Sequence, residues 1–419
     1  MTLPVQPDEK GHPSGAKRSA SARLMIVTRD RYPYFRVDLV ELFSRWLTPL
    51  FDIDWVCARS LQGFPAVLPG RRGERFLVSR RGVLSWLRLQ LGQAVRVAQG
   101  GVDVVQVRDA ALSAVLFLAA SRLGRRPFVY WMSYPMTEGY VHRARRQTPP
   151  GAPLLKLARL VYGGIAGRLL YAWVLPQAAH VFAQSERMKA DLIAKGIPRE
   201  RITAVPMGVS VSIYDPATIP PSADPRLDGR KVLVYVGSLD PERDIEMLVS
   251  ALAAVRTEGL DAVLVLVGDT PIADVSRLRG AGNAAGVADK VMFTGHLPLP
   301  ETLSYVRRAD VCLAPFPVWP ETYLSATPTK LVEYLAMGRP VVAADHPDQR
   351  QTIEASGAGV IAPPTAGDFA AAIVGLLGDP AAAEAMGAKG PPWVARHRDY
   401  AALSVLVAGV YDGLLAATR

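Results

Sequence analysis

Residues 232–252 read VLVYVGSLDPERDIEMLVSAL, and the fold turns on this stretch. Apolar, largely β-branched residues make a buried strand that ends at Gly237. A short polar turn follows, and an amphipathic helix opens near Asp244. The same rhythm extends outward in both directions. Strand-like runs fall at Leu24–Thr28, Ile53–Ala58, Val102–Val107, Phe128–Met132, His180–Gln184 and Ile202–Val205. A second series follows at Val232–Val236, Ala262–Val267, Lys290–Thr294, Val311–Ala314, Val341–Ala343 and Gly359–Ile361. Longer amphipathic runs separate them, so the chain is expected to be α/β, with two doubly wound, Rossmann-like domains in tandem. Pro, Asp and Gly crowd into YDPATIPPSADPRLDGRK and the periodicity stops there, which places a linker at 213–228. The domains are then 23–212 and 229–391. Residues 1–22 read as a disordered polar tail without the apolar stretch of a signal peptide. Residues 392–419 read as a closing helix, with Leu403, Val407, Val410 and Leu414 on one face, expected to return to the first domain.

The composition fits this plan. The 419 residues, 50% hydrophobic and 21% charged, are too many for one core and show no fibrous or disordered bias. Cys57 and Cys312 lie in separate halves and belong to no Cys/His cluster, which points to a reducing cytoplasm. No uninterrupted apolar stretch is long enough to span a membrane. The net charge of +10 is unevenly placed: residues 1–228 carry 32 Lys and Arg against 17 Asp and Glu, whereas residues 229–419 carry 16 against 21. The basic residues of the first half are scattered and no nucleic-acid motif accompanies them, so nucleic acid is not an expected partner.

Common catalytic signatures are absent. There is no GxxxxGK[ST] phosphate loop, no GxSxG elbow, no HExxH and no kinase set. The first strand continues into TRDRYPYFR without a GxGxxG turn, which disfavours a hydride-transferring dinucleotide site. Two features suit a phosphorylated ligand instead. In the quoted stretch, backbone N–H groups at the helix start and Arg243 converge on one place, although the same turn also reads as an ordinary strand–helix connection. In SATPTKLVEYLAMGRPVVAADHPDQ, residues 325–349, Pro328 and Thr329 start a helix that Gly338-Arg339-Pro340 stops. Lys330 and Glu333 share a face. A cation in the first turn suits a helix start only if an anion sits there too; the other reading is a plain i,i+3 surface pair.

The segments HVFAQSERMKADLIAKGIPRERITAVPMGVSVS (180–212), VLVYVGSLDPERDIEMLVSAL, VMFTGHLP (291–298) and PTKLVEYLAMGRPVVA (328–343) together resemble the family-4 retaining glycosyltransferases of the GT-B class, of the bacterial exopolysaccharide or lipid-linked glycan type. The resemblance runs from roughly residue 165 to the C-terminus; the chain before it fits in rhythm only. It implies two Rossmann-like domains facing each other across a cleft, an acceptor-binding first domain and a nucleotide-sugar-binding second one. It also implies that Gly237 and the turn after it receive the donor diphosphate, with Arg243 in place of a phosphate-binding Lys. Ser238 stands where a first cation is common, and Lys330 is expected to replace its charge. Thr329 lies at the same helix start. Glu333 matches the second carboxylate of the family's E-x7-E motif, while Ser325 replaces the first; Glu321 lies nearby but out of register. Leu297, after Phe293-Thr294-Gly295-His296, marks the strand end beside the nucleobase. His296 and His180 are read as packing residues. In the first domain, TRDRYPYFR and YWMSYPMTEG carry neither the family's Gly-rich loop nor its His, and Arg29, Arg36, Ser133 and Tyr134 are the candidate acceptor residues.

The expected activity is transfer of a sugar from a nucleotide-diphosphate donor to a hydroxyl of a glycan or lipid-linked acceptor, with retention. No cofactor and no metal are expected, because fixed cations and helix starts meet the leaving-group charge. Asp52-Ile53-Asp54 is the sole DxD and reads as strand and loop edge. The segments 71–96 and 154–175 mix Arg and Lys with Leu, Val, Trp and Tyr at helical spacing. They suit either an anionic bilayer at the inner leaflet or packing on a sheet with a solvated basic face. Two other classes stay open: a GT-B-like nucleotide-sugar epimerase or phosphorylase, and a non-catalytic sugar-nucleotide-binding protein.

Overall fold

The computed structural model describes residues 21–33, 36–59, 72–80, 82–146, 151–269 and 271–418, so the expected tail lies outside it up to residue 20. The chain divides into two compact units. The first holds the described residues up to Gln184, Met188–Val205 and Leu403 onward; the second holds Ser185–Arg187 and Pro206–Ala402.

The first unit is built on a parallel sheet of β1 (Arg23–Tyr32), β2 (Asp52–Arg59), β3 (Glu74–Ser79), β4 (Val104–Arg108), β5 (Phe128–Met132), β6 (His180–Ala183) and β7 (Ile202–Ala204). Its order is β3-β2-β1-β4-β5-β6-β7. A π-helical segment, Leu39–Leu47, connects β1 to β2. The helices that follow are α1 (Val83–Ala98), α2 (Ala111–Leu123), α3 (Met136–Arg146), α4 (Pro153–Leu169) and α5 (Glu186–Ala194). Strands such as Val104–Val107 are apolar or buried at every position because helices cover both faces of a parallel sheet. The run at 71–96 is not helical throughout. Glu74–Ser79 pairs with β2, Phe76 beside Trp55, and the Glu74 carboxylate accepts from Trp55 Nε1 at 2.7 Å while Arg75 forks onto Asp54. Cross-strand partners decide that segment's conformation, and its own periodicity does not report them.

The second unit has β8 (Lys231–Val236), β9 (Ala262–Val267), β10 (Val291–Gly295), β11 (Val311–Ala314), β12 (Val341–Ala344) and β13 (Gly359–Ala362), in the order β10-β9-β8-β11-β12-β13. Its helices are α6 (Ile245–Thr257), α7 (Ile272–Ala284), α8 (Leu299–Arg308), α9 (Thr329–Ala336), α10 (Pro347–Ser356), α11 (Ala366–Gly378), α12 (Pro380–Gly387) and α13 (Gly390–His397). The boundary between the units falls at 205/206 and not at 212. Met207 N–H donates to Thr327 Oγ1 (3.0 Å), Val209 pairs with Asp399, and Leu227, inside the expected linker, is buried in the second core. Nor is 392–419 a single helix. The chain turns at Arg398, whose buried guanidinium bonds Asp348 Oδ1 at 2.7 Å and Met207 O at 3.2 Å. The last helix, α14 (Tyr400–Ala416), then packs in the first unit, where Tyr411 donates to Gln106 Oε1 on β4 at 2.6 Å. Among the described residues no single helix is long and apolar enough to cross a membrane. The pair Ala366–Gly378 and Pro380–His397 passes on length and composition but is bent by 102°, and it buries Phe369 and Ile373 in the second core.

Candidate active site

In a doubly wound sheet, ligands bind beyond the carboxyl ends of the strands where the order reverses. In the second unit that point lies between β8 and β11. On the other side of β8 the backbone approaches that of β9 closely: Gly237 N–H donates to Val267 O at 2.9 Å, and a Cβ on Gly268 would stand 1.9 Å from Gly237 O. Only a hydrogen fits at position 268, a requirement the sequence reading missed. Tyr334 of α9 accepts from Val236 N–H at 2.7 Å, which fastens this helix to the end of β8.

The loop after β8 is held in place by its own residues. Tyr235 donates to Ser238 O at 2.9 Å; burial pushes its phenol up to about 12, so it remains a donor at neutral pH. The Ser238 hydroxyl turns back onto Asp240, and Arg277 reaches Leu239 O at 2.7 Å. A short 3-10 turn, Pro241–Arg243, is followed by Asp244 with φ 50°, a left-handed conformation that aspartate tolerates better than most residues, and α6 begins there. The turn is clasped to the loop after β11. Glu242 accepts from Tyr323 Oη at 2.9 Å, and the Arg243 guanidinium lies 5.4 Å from the Phe316 ring centroid. No carboxylate pairs with Arg243 among the described residues. Phe316 in turn meets His346 edge-on at 5.0 Å.

His346 is a functional candidate that the sequence reading missed. It is fully buried, its Nε2 donates to Tyr323 O at 2.9 Å, and its Nδ1 has no partner among the described residues. Burial lowers its pKa, so the neutral ring serves as a rigid support for the loop that leads into α9. Thr329 is the first residue of that helix. Lys330 Nζ lies 2.9 Å from Glu333 Oε2, so the cation at this helix start is already neutralised by an i,i+3 partner. Glu321 is exposed at the head of a 3-10 turn, Glu321–Ser325, and makes no hydrogen bond or ion pair among the described residues, whereas Ser325 is buried. Leu297 is half-buried against the core beyond β10, an edge strand two strands from β8, and its carbonyl accepts from Thr302 Oγ1. His296 beside it is exposed.

The first unit reverses between β1 and β4, and the candidates there meet a charge cluster that sequence reasoning did not find. Arg108, completely buried at the end of β4, pairs with buried Asp38 and lies 5.2 Å from the Trp131 ring. Arg36 Nε donates to the other oxygen of Asp38 at 3.2 Å. Burial pushes the Asp38 carboxyl up, but Arg108 and Arg36 more than offset this and hold it below the usual range. Asp109, also left-handed at φ 52°, accepts from Ser133 N–H at 2.7 Å, and burial raises its pKa. Arg29 lies apart, donating to Tyr140 Oη at 3.1 Å, and Tyr134 is half-buried nearby in sequence to Ser133. His180 bonds Thr203 Oγ1 at 2.9 Å inside the sheet.

The two aspartates of the DxD are engaged elsewhere: Asp52 pairs with Arg23 at 3.1 Å, and Asp54 with Arg75 and Arg96 at 2.7 Å each. Among the described residues no three His, Cys, Asp or Glu side chains group together as a metal site.

Two parallel-sheet units, the second presenting glycine-tight strand ends and two helix starts beside an Arg243 that pairs with no carboxylate among the described residues, define a two-domain Rossmann-like protein. Two family models match in succession, "Glycosyl transferase 4-like domain" over residues 40–208 and "Glycosyl transferases group 1" over residues 230–379. The chain belongs to the family-4 glycosyltransferases of the GT-B class. It is similar to alpha-D-kanosaminyltransferase of Streptomyces kanamyceticus, with 29% identity over 56% of this chain and 60% of the relative. It is also similar to a GDP-mannose-dependent alpha-(1-6)-phosphatidylinositol monomannoside mannosyltransferase of Mycobacterium tuberculosis, with 30% identity over 45% of this chain and 49% of the relative. The matched stretch thus spans about half to three-fifths of these curated relatives. Sucrose-phosphate synthase from Thermosynechococcus elongatus shares the fold, with a TM-score of 0.70 and 19% identity over 94% of this chain and 100% of the other.

Proposed function

We propose that this chain is a retaining glycosyltransferase of bacterial glycan synthesis, moving a sugar from a nucleotide-diphosphate donor to a hydroxyl of a glycan or lipid-linked acceptor without a metal. The observation that carries the reading is the β8–β11 switch point, where Arg243 has no carboxylate partner among the described residues and is held against Phe316 beside two helix starts. A diphosphate placed there gains a guanidinium and free backbone N–H groups. Lys330 can turn from Glu333 to the diphosphate, which frees Glu333 to accept hydroxyl hydrogen bonds from the donor ribose. The printed name of the mycobacterial relative, with its GDP-mannose donor and phosphatidylinositol-borne acceptor, supports the donor and acceptor classes.

In the step itself the bond from the anomeric carbon to the leaving phosphate oxygen breaks and the bond to the acceptor oxygen forms on the same face. The departing phosphate takes the acceptor proton, so no enzymic base is needed. Arg243 and Lys330 neutralise the charge that develops on the leaving group. The acceptor side belongs to the first unit, where Arg36, Ser133 and Asp109 gather at the other switch point. The basic first half suits peripheral attachment to the anionic cytoplasmic leaflet. The test is a thermal-shift panel of UDP, GDP, ADP and TDP with EDTA present, followed by NMR of the product anomer. Stabilisation by one nucleotide and a retained anomer support the reading; a silent panel or an inverted anomer overturns it.

A further inference from the structure

In the first unit, α2 lies between α1 and α4 on one face of the sheet, and all three contribute to a single core through Ala94, Phe117 and Ala166. Their outward sides are unusual. In α1 the exposed residues include Leu84, Leu87, Leu91 and Val95, while the helix buries Gln90, whose Oε1 finds no partner among the described residues. In α4 the exposed residues include Leu154, Leu157, Val161 and Ile165. Both series follow the same spacing of i, i+3, i+7 and i+11, one stripe along each helix. Leu84 is 71% exposed and Leu154 80%. A helix that packs on a sheet in water turns such a stripe inward; these two turn it outward. Between them α2 exposes Leu112 and Leu123.

The charge is as one-sided as the hydropathy. None of the three helices contains an Asp or Glu. Arg88, Arg122, Lys156 and Arg168 are exposed on them, and α3, which packs along α4, ends in exposed Arg145 and Arg146. An apolar partner protein carries no requirement for an acid-free, basic rim, whereas an anionic lipid surface rewards both halves of the pattern: leucines enter the acyl boundary and long basic side chains stay at the phosphates. We infer that the outward side of the α1–α2–α4 layer is the docking face for an anionic phospholipid bilayer, with α1 and α4 lying in the plane of the membrane. This deepens the peripheral-attachment part of the function proposed above and rests on it; the transfer reaction stands apart from it.

The experiment is co-sedimentation of the full chain with phosphatidylglycerol/phosphatidylcholine vesicles that hold no sugar lipid, with no nucleotide added. Wild type is expected to bind these and not pure phosphatidylcholine vesicles, and to be released by high salt. Leu84→Ser/Leu91→Ser/Leu154→Ser/Leu157→Ser alters only exposed positions, so it is expected to keep its Tm and nucleotide binding while its partition coefficient falls at least tenfold. Arg88→Glu/Lys156→Glu is expected to lose binding by a similar factor. Trp173, 38% exposed just beyond α4, is expected to be quenched by brominated lipid. Equal binding by the leucine variant, no binding by wild type, or a wild-type dimer that the leucine variant dissolves without any vesicle binding would each overturn the assignment. Nucleotide binding and transfer to a soluble acceptor, measured on the same samples, report separately on the proposed reaction.

Discussion

Replacing Asp38 or Arg108 tests the charge cluster at the first switch point. Arg108 is 0% and Asp38 3% exposed, so neither has solvent to fall back on. Removing one member of a buried pair costs about 3–5 kcal/mol, and what remains around the survivor decides where in that range each variant falls. In Asp38→Leu the guanidinium keeps only Asp109 and Asp30, at 3.9 and 4.0 Å, beyond hydrogen-bond reach. Its Nε and Nη1 already lack acceptors among the described residues, so a loss near 5 kcal/mol is expected. In Arg108→Met the carboxylate keeps Arg36 at 3.2 Å, and the methionine retains part of the contact with Trp131, so the loss is expected near 3 kcal/mol. The double variant Asp38→Leu/Arg108→Met is expected to lose less than the sum by about 2 kcal/mol or more, since neither charge is stranded. Urea unfolding followed by tryptophan fluorescence reads this directly, because Trp55 and Trp131 sit in the same core. Additivity within about 0.5 kcal/mol, or a single-variant cost under about 1 kcal/mol, would refute the pairing. The folded state holds the Asp38 carboxyl below its unfolded value. Its contribution is therefore complete above about pH 4, is lost as pH falls through the folded pKa, and is missing in Asp38→Leu.

Arg243→Gln is expected to weaken binding of the stabilising nucleoside diphosphate about 10- to 100-fold by calorimetry while leaving Tm unchanged, because the guanidinium lies over the Phe316 ring and makes no ion pair among the described residues. Tyr334→Phe strands the buried Val236 N–H and is expected to cost about 1–3 kcal/mol in urea unfolding of the second unit, with weaker nucleotide binding; an unchanged midpoint would refute the link. Gly268→Ala forces a methyl against Gly237 O and is expected to yield protein that either fails to fold or no longer gains Tm from nucleotide. His180 is held neutral by burial, its pKa lowered to about 4, so the unfolded chain takes up a proton that the folded chain refuses. Stability is expected to fall by up to about 3 kcal/mol as pH drops from 6.5 to 4, and His180→Gln to flatten that slope in pH-dependent denaturation.

Much of the architecture was legible because buried parallel strands are continuous apolar runs, and twelve such runs stand out between amphipathic segments. The run that escaped, Glu74–Ser79, is an edge strand whose charged residues are satisfied across the sheet by Asp54 and Trp55, and a one-dimensional pattern does not report cross-strand partners. The linker was misplaced for a related reason. Its Pro-rich composition is that of a loop, yet Leu227 is anchored in the second core and Met207 is tied to Thr327. At the candidate site, the strand end before Gly237 and the helix start at Thr329 were legible because both are local events with local signals.

The sequence by itself determined the strand–helix alternation, the two helix starts and the family, since each depends on neighbours within a turn or two of the chain. Only the tertiary structure decided that Lys330 pairs with Glu333, that His346 is fully buried while His296 is exposed, and that Gly268 must be glycine. It also decided that Asp38, Arg108 and Asp109 meet across 70 residues, and that the leucines of α1 and α4 face outward while Gln90 faces in. Burial, pairing and facing depend on which strands become neighbours, and that is a matter of the spatial order of strands in each sheet and not of the spacing of residues along them.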